Sequence, residues 1–143
     1  MENKDKFWSS KISNGFKRSL LFHLPAILYM AIIFYVSSLQ KVSPPSIGFG
    51  LEDKIYHFGE YALLSIFLYV ALLSYRNQSI QSRIHIIAAV IACLFAGSDE
   101  LHQYFVPGRE STVGDLAADC LGAIAAQIAI WYYLKIRRQK SID

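Results

Sequence analysis

The chain has 143 residues, of which 54% are hydrophobic and only 17% are charged, and its formal net charge is +3. A typical soluble domain has about a quarter of its residues charged, and it alternates apolar with polar positions. Here the apolar residues form long runs instead, which argues against a soluble fold. We therefore expect one integral membrane domain over residues 1–143, with no nucleic-acid partner.

Four successive apolar stretches are long enough to cross a bilayer core of about 30 Å. We predict an all-α fold, an integral membrane four-helix bundle, with spans at residues 20–39, 57–75, 84–105 and 115–134. The first stretch is too long for the core of a signal peptide, and Pro44-Pro45 after it indicate a loop. The third is purely apolar only from Ile84 to Ala96, so its helix must continue through Asp99 and Glu100 to cross.

Positive charge is distributed unevenly between the two ends of the predicted bundle. Of the 14 lysines and arginines, eleven lie in the two terminal segments or between the second and third spans. Only Lys41, Lys54 and Arg109 lie at the other end. Because cytoplasmic segments of membrane proteins are enriched in lysine and arginine, we predict that both termini are cytoplasmic.

The acidic residues show the opposite asymmetry. A charged side chain inside a membrane costs at least a few kcal/mol, so it normally faces the bundle interior and has a partner. We therefore expect a functional polar cluster at the extracytoplasmic end. Eight of the eleven acidic residues lie there: Glu52, Asp53, Glu60, Asp99, Glu100, Glu110, Asp115 and Asp119.

Helical spacing places many of these residues on common faces, since positions three or four apart are neighbours on a helix. The small residues that end the last stripe allow close helix packing deeper in the membrane. The faces hold Asp53, His57 and Tyr61 in the second helix, Asp99 or Glu100 with Gln103 in the third, and Asp115, Asp119, Gly122 and Ala126 in the fourth.

The connection between the third and fourth helices is short. Pro107-Gly108 favours a tight turn, and Ser111 or Thr112 is placed to cap the fourth helix. Arg109 is the only arginine at this end and lies beside several carboxylates. It either clamps two of them to fix the hairpin, or it binds an anionic substrate group such as a phosphate.

Structural roles compete with functional ones at several of these positions. Lys54 is also expected as an interfacial anchor whose ammonium reaches the lipid headgroups, and Tyr61 as a packing residue. Asp119 is either a site residue or a carboxylate satisfied by a neighbouring hydroxyl or by Arg109.

The sequence gives no firm signal for a cofactor or metal. Cys93 and Cys120 lie in apolar runs without the spacing of a zinc or disulfide framework. A metal held by nitrogen and oxygen ligands would match no established zinc signature, so we expect neither metal nor cofactor. The ligands considered for such a metal are His57, Glu60, Asp99 and Glu100.

Three motifs taken together resemble the VanZ-like family over about residues 30–126, which includes all four spans. They are Asp53-Lys54-x-x-His57-Phe58-x-x-Tyr61-x-x-Leu64, Asp99-Glu100-x-x-Gln103-x-Phe105-x-Pro107-Gly108-Arg109 and Asp115-x-x-x-Asp119-x-x-Gly122, with Ser37-Ser38 closing the first helix.

The resemblance implies a small bacterial protein that crosses the cytoplasmic (inner) membrane several times. The family is named for low-level resistance to the glycopeptide antibiotic teicoplanin. One position departs from the family pattern, which usually has asparagine where this chain has Asp119. The added negative charge either changes what the cluster binds or is neutralised by protonation. The family signature corresponds to Asp53, Lys54, His57, Asp99, Glu100, Gln103, Arg109 and Asp115.

Two classes of function stay open, so the sequence does not decide whether the chain is an enzyme. As an enzyme it would act on a lipid or lipid-linked envelope substrate, with His57 transferring a proton and Asp53 or Glu100 orienting its ring. As a non-catalytic protein it would bind lipid or a lipoglycopeptide, or serve as a structural accessory. The catalytic candidates are His57, Glu100, Asp99 and Asp53; the binding candidates are Arg109, Gln103, Asp115, Lys54, Asp119 and Tyr61.

Overall fold

The computed structural model describes residues 2–40, 51–109 and 111–141, with side chains described from Leu20 onward. Within these residues the chain forms helices and no strand. Four of the helices have the length and hydropathy needed to cross a membrane, the first of them over Leu20–Ser37. The predicted all-α membrane bundle is therefore confirmed. The helices are α1 (Glu2–Ser37), α2 (Glu52–Leu72), α3 (Gln78–Gln81), α4 (Ile84–Tyr104) and α5 (Val113–Gln139).

Compared with the predicted spans, α1, α2 and α5 begin earlier, while α1, α2 and α4 end one to three residues sooner. α2 begins at Glu52 rather than at residue 57, because Glu52 and Asp53 occupy a first turn where the helix dipole favours acidic side chains. α1 continues back to Glu2 through the basic segment that precedes its span. The predicted loop at Pro44-Pro45, together with Lys41 and Glu110, lies outside the described residues.

The short helix α3 was not predicted from hydropathy. Its N-cap is Asn77, whose side-chain oxygen accepts a hydrogen bond from the backbone N–H of Ser79 at 2.8 Å. A capped single turn depends on local polar contacts rather than on apolar length, so a search for membrane spans does not detect it.

α2 is central in the bundle, since it packs against α1, α4 and α5, and α5 also packs against α4. The inward face of α4 consists of Ala88, Ala92 and Ala96, all fully buried, and small residues of this kind allow close helix packing in membranes. Large apolar side chains point outward, as at Leu21 and Leu94, each 71% exposed. This arrangement suits a protein whose outer surface meets lipid.

The closest approach between α2 and α5 is at Gly122. A Cβ atom added to Gly122 would lie 2.0 Å from the backbone oxygen of Phe58, so the two backbones touch and no larger residue fits. Phe58 directly follows His57, and Gly122 lies one helical turn after Asp119. The glycine contact therefore brings His57 and Asp119 side by side.

The connection from α4 to α5 contains the predicted turn. The backbone N–H of Arg109 donates to the oxygen of Val106 at 3.2 Å, and Gly108 has a φ of 82°. Pro107 and a glycine with positive φ are the central residues of a type II turn. At this level α1 and α4 end while α2 and α5 begin, and we call this end of the bundle the polar end. Which side of a membrane it faces stays a prediction.

Candidate functional site

Buried polar side chains concentrate at the polar end. Each of the four membrane-spanning helices contributes to this group within its first or last turns there. Most of its members are less than one tenth exposed, a rare state for carboxylates unless they are paired. The buried members are Ser37 on α1, Glu52 on α2, Asp99, Glu100 and Gln103 on α4, and Asp115 and Asp119 on α5.

His57 is held by Asp119 across the α2–α5 contact. Its Nδ1 lies 2.9 Å from Oδ1 of Asp119, so an ionised Asp119 accepts a hydrogen bond from an N–H at Nδ1. Its Nε2 lies 3.8 Å from Oδ1 of Asp53 and 3.9 Å from Oδ1 of Asp115. We expected Asp53 or Glu100 to orient this ring, and the structure places Asp119 there instead. Asp53 lies at the exposed start of α2, with its side chain 53% exposed.

Lys54 joins α2 to the start of α5 rather than extending only towards headgroups. Its ammonium donates to Oδ1 of Asp115, to Oδ2 of Asp53 at 3.2 Å and to the hydroxyl of Thr112 at 3.4 Å. The Thr112 hydroxyl in turn donates to Oδ2 of Asp115 at 2.6 Å and accepts from the Asp115 backbone N–H at 3.2 Å. The cap predicted at Ser111 or Thr112 is thus Thr112, and both Asp115 oxygens have partners.

Asp99 lies between α1 and its own helix. Its Oδ1 accepts from the hydroxyl of Ser37 at 2.6 Å, and its Oδ2 accepts from the amide of Gln103 at 2.9 Å. The shared face predicted for Asp99 and Gln103 is therefore a direct contact. Arg109 donates to the backbone oxygens of Ser37 at 3.3 Å and Val36 at 3.1 Å, which ties the turn to the end of α1.

Three buried polar atoms in the described part of the chain lack a hydrogen-bond partner. They are Oε1 of Glu100, Oδ2 of Asp119 and the hydroxyl of Tyr61. The second oxygen of Glu100 accepts from the Ser111 hydroxyl at 2.7 Å. A buried polar atom without a partner costs about 1–3 kcal/mol, more when charged, so this part of the polar end is not explained by stability.

A cavity of about 600 Å³ opens beside His57, between α1, α2 and α4. Its polar wall includes Asp53, His57, Asp99 and Arg109. Its apolar wall continues along α1 and α2 through Tyr29, Ile33, Ile55 and Leu63. The cavity is therefore polar at one end and apolar along its length.

Comparison with known proteins decides the family. The VanZ/LLP1 family model matches residues 7–135, which is most of the chain. The chain belongs to the VanZ/LLP1 family. No curated protein and no solved structure matches it. The resemblance noted from three motifs is confirmed, and it extends to the ends of the bundle.

Most of the predicted site residues come together in this VanZ/LLP1 bundle, although they divide into separate groups. His57, Asp119 and Glu100 form one group; Lys54, Asp53 and Asp115 form a second beside it. Asp99 and Arg109 bind α1, and Gln103 binds Asp99. Tyr61 is buried deeper on α2. Whether any of these residues acts on a ligand stays a prediction.

Other residues lie at the site without having been among its catalytic or binding candidates, although Glu60 was considered as a metal ligand. Tyr29 and Glu60 line the cavity, and Ser111 binds Glu100. Tyr29, Ile33 and Ser37 are spaced by four on α1, so a helical stripe ending at Ser37 is the signal that could have found Tyr29. His102 lies outside the cavity lining, because its ring stacks on Phe34 at 4.3 Å and its Nε2 lies 2.9 Å from the Ser38 hydroxyl.

Proposed function

We propose that this VanZ/LLP1 protein acts in the bacterial cell envelope on a lipid or lipid-linked substrate that enters the cavity beside His57. The observation that carries this proposal is the position of the His57 ring. The ring lines a cavity that has an apolar wall, and its Nδ1 lies within hydrogen-bond distance of Oδ1 of Asp119, at 2.9 Å. The uneven distribution of lysine and arginine supports a cytoplasmic membrane location with the polar end facing outward.

The shape of the cavity supports an amphipathic substrate. An acyl or isoprenoid chain would lie along Tyr29, Ile33 and Leu63, which belong to the membrane-spanning stretches of α1 and α2. The head group then lies at the polar wall, where Arg109 supplies positive charge for an anionic group. A soluble polar substrate would gain nothing from the apolar half of this cavity.

The His57–Asp119 pair supports proton transfer as the chemistry. Because Asp119 accepts from Nδ1, the neutral imidazole has Nε2 free of a proton and able to act as a base. The buried carboxylate also stabilises the imidazolium that forms when Nε2 takes a proton. Asp53 and Asp115, whose Oδ1 atoms lie within 4 Å of Nε2, then stabilise the positive charge of the imidazolium or take up its proton.

A second candidate function is non-catalytic binding of a cationic or zwitterionic lipopeptide, which would account for resistance of the teicoplanin type. Acidic side chains at the polar end favour it, in particular Asp53, whose side chain is half exposed. A binder changes susceptibility without leaving a new lipid product, and this difference separates the two functions.

The test is to express the protein in a glycopeptide-susceptible bacterium and to compare His57→Gln with wild type. His85→Gln is a matched control, because His85 is another half-buried histidine of the bundle that does not line the cavity. Membrane abundance, the full lipid profile and teicoplanin susceptibility are measured for each.

A lipid change that is present in wild type and His85→Gln but lost in His57→Gln at equal abundance supports the enzyme. Altered susceptibility that depends on His57 without any lipid change supports the binder. The proposal is wrong if wild type changes neither quantity, or if His57→Gln behaves as wild type does.

A further inference from the structure

Two buried carboxylates face a single imidazole at the polar end. Glu100 on α4 is 6% exposed and Asp119 on α5 is 1% exposed, and His57 on α2, which lines the cavity, lies close to both. One ligand atom from each of the three residues lies within 4.8 Å of the others. If both acids are ionised, the group carries more negative charge than one imidazolium balances. Such a group is costly in a low-dielectric setting.

Each carboxylate in this group has one oxygen bound and one oxygen without a partner in the described part of the chain. Asp119 uses Oδ1 for His57, and Glu100 uses Oε2 for Ser111. Their other oxygens are fully buried and accept no hydrogen bond. Both carboxylates are thus held in place by one oxygen while the other stays available to a ligand.

A neighbouring group also includes His57, but its two carboxylates are already bound by a lysine. Asp53, His57 and Asp115 also have ligand atoms within 4.8 Å of one another. There, however, the ammonium of Lys54 already binds both acids, and Thr112 occupies the second oxygen of Asp115. A cation would have to displace Lys54 from this group, whereas among the described residues no lysine or arginine binds the unpartnered oxygens of Glu100 and Asp119.

We propose that His57, Glu100 and Asp119 bind a divalent metal ion, with Zn²⁺ the best match. One imidazole nitrogen and two carboxylate oxygens suit Zn²⁺, with Mn²⁺ as the harder alternative. Three protein ligands leave a coordination position open for water or substrate. On binding, the ring proton of neutral His57 moves from Nδ1 to Nε2 and Nδ1 coordinates together with Asp119, so the ion replaces the hydrogen bond between them. With the ion bound, Nε2 carries the ring proton and is not a base, so this proposal concerns binding of the ion and is independent of the proton transfer proposed for His57.

The experiment measures metal bound by the purified full chain in nanodiscs, prepared with a tag that contains no histidine. The protein is stripped with EDTA, equilibrated with Zn²⁺ or with Mn²⁺, desalted and analysed by mass spectrometry for metal per chain. Wild type is expected to retain about one Zn²⁺. Glu100→Gln and Asp119→Asn keep the side-chain shape and are expected to weaken binding by more than about 100-fold, since even residues behind a metal's ligands are worth about 10- to 100-fold. Asp53→Asn is the matched control from the neighbouring group and should bind as wild type does.

A second measurement uses only the wild-type protein, so it does not depend on whether the variants fold. Co²⁺ added to stripped wild type should give the visible bands of a nitrogen- and oxygen-ligated site, without the thiolate charge-transfer band that Cys93 or Cys120 would produce. The proposal is overturned if wild type retains less than one ion per chain of both Zn²⁺ and Mn²⁺. Binding lost in Asp53→Asn but kept in Glu100→Gln, or a thiolate band with Co²⁺, does so as well. These measurements use no lipid, so a negative result leaves the function proposed for the cavity to be judged by its own test.

Discussion

The bundle contains two histidine-centred polar clusters, and they are built differently. One is the His57 group at the polar end. The other, which we call the Gln127 network, consists of Ser65, His85 and Gln127 deeper between α2, α4 and α5. There the amide of Gln127 donates to the backbone oxygen of Ser65 at 2.9 Å and to its hydroxyl at 2.8 Å. The ring of His85 lies 3.0 Å from the Gln127 oxygen and stacks on Tyr69 at 5.1 Å.

The Gln127 network contains no acidic residue, and its Ser65 hydroxyl is satisfied because it also donates to the backbone oxygen of Ala123 at 3.1 Å. A satisfied buried network rigidifies the core and specifies helix register. The His57 group instead combines two acids with one imidazole and leaves two carboxylate oxygens without partners in the described residues. Stability therefore explains the Gln127 network but not the His57 group, and buried polar atoms without partners are typical of a functional site.

The largest effect is expected for Gly122→Ala, because Gly122 lies between the two clusters on α5. Its new methyl group would meet the Phe58 backbone oxygen at 2.0 Å, which forces α2 and α5 apart. We expect a loss of about 3 kcal/mol or more in the free energy of unfolding, at the upper end of overpacking costs. Unfolding in mixed detergent and SDS measures this value. Gly97→Ala is the control, since nothing lies within 4 Å of its added Cβ and alanine favours helix. Equal stability of the two variants would contradict the close α2–α5 contact.

Gln127→Leu should disrupt the Gln127 network and lower the stability of the bundle. It removes the hydrogen bonds to Ser65 and leaves His85 without its partner, at an expected cost of about 1–2 kcal/mol in the same unfolding measurement. Any activity assigned to the cavity should persist at equal protein abundance. A variant with full stability but no activity would place the Gln127 network in the functional site and would erase the contrast between the clusters.

Thr112→Ala separates structural from functional residues within the polar end itself. Loss of the α5 cap and of the bond to Asp115 should lower the unfolding free energy by about 1 kcal/mol. Thr112→Ser restores the hydroxyl and should recover most of that loss. If serine gives no recovery, the hydroxyl is not the source of the stability.

Asp119→Asn should have the smallest effect on stability although it changes the centre of the polar end. In the presence of EDTA we expect an unfolding free energy equal to or above that of wild type, because the amide removes one of two buried acids that share one imidazole. Any lipid or susceptibility phenotype should be lost. A strong destabilisation would instead show that the His57–Asp119 contact is mainly structural.

The sequence predicted the local features of the candidate site well. Residues spaced by four were enough to place Asp99 against Gln103, and Pro107-Gly108 to place the turn before Arg109. Contacts between helices were not predictable in the same way. Arg109 was expected beside carboxylates or a substrate anion, and its described bonds go to the backbone oxygens of Val36 and Ser37. A guanidinium can donate hydrogen bonds to many kinds of acceptor, and the position of the α1 end determines which acceptors lie within its reach.

The four membrane-spanning helices and the collection of acids at one end follow from the amino-acid sequence alone, because hydropathy and helical period are local properties of the chain. Which acid meets His57 depends instead on how the helices pack. Asp53 lies four residues away on the same helix, yet Asp119, on another helix, makes the hydrogen bond at 2.9 Å. The reason is the glycine at position 122, which lets α5 approach α2 to backbone contact and so sets the pairing of side chains one turn away.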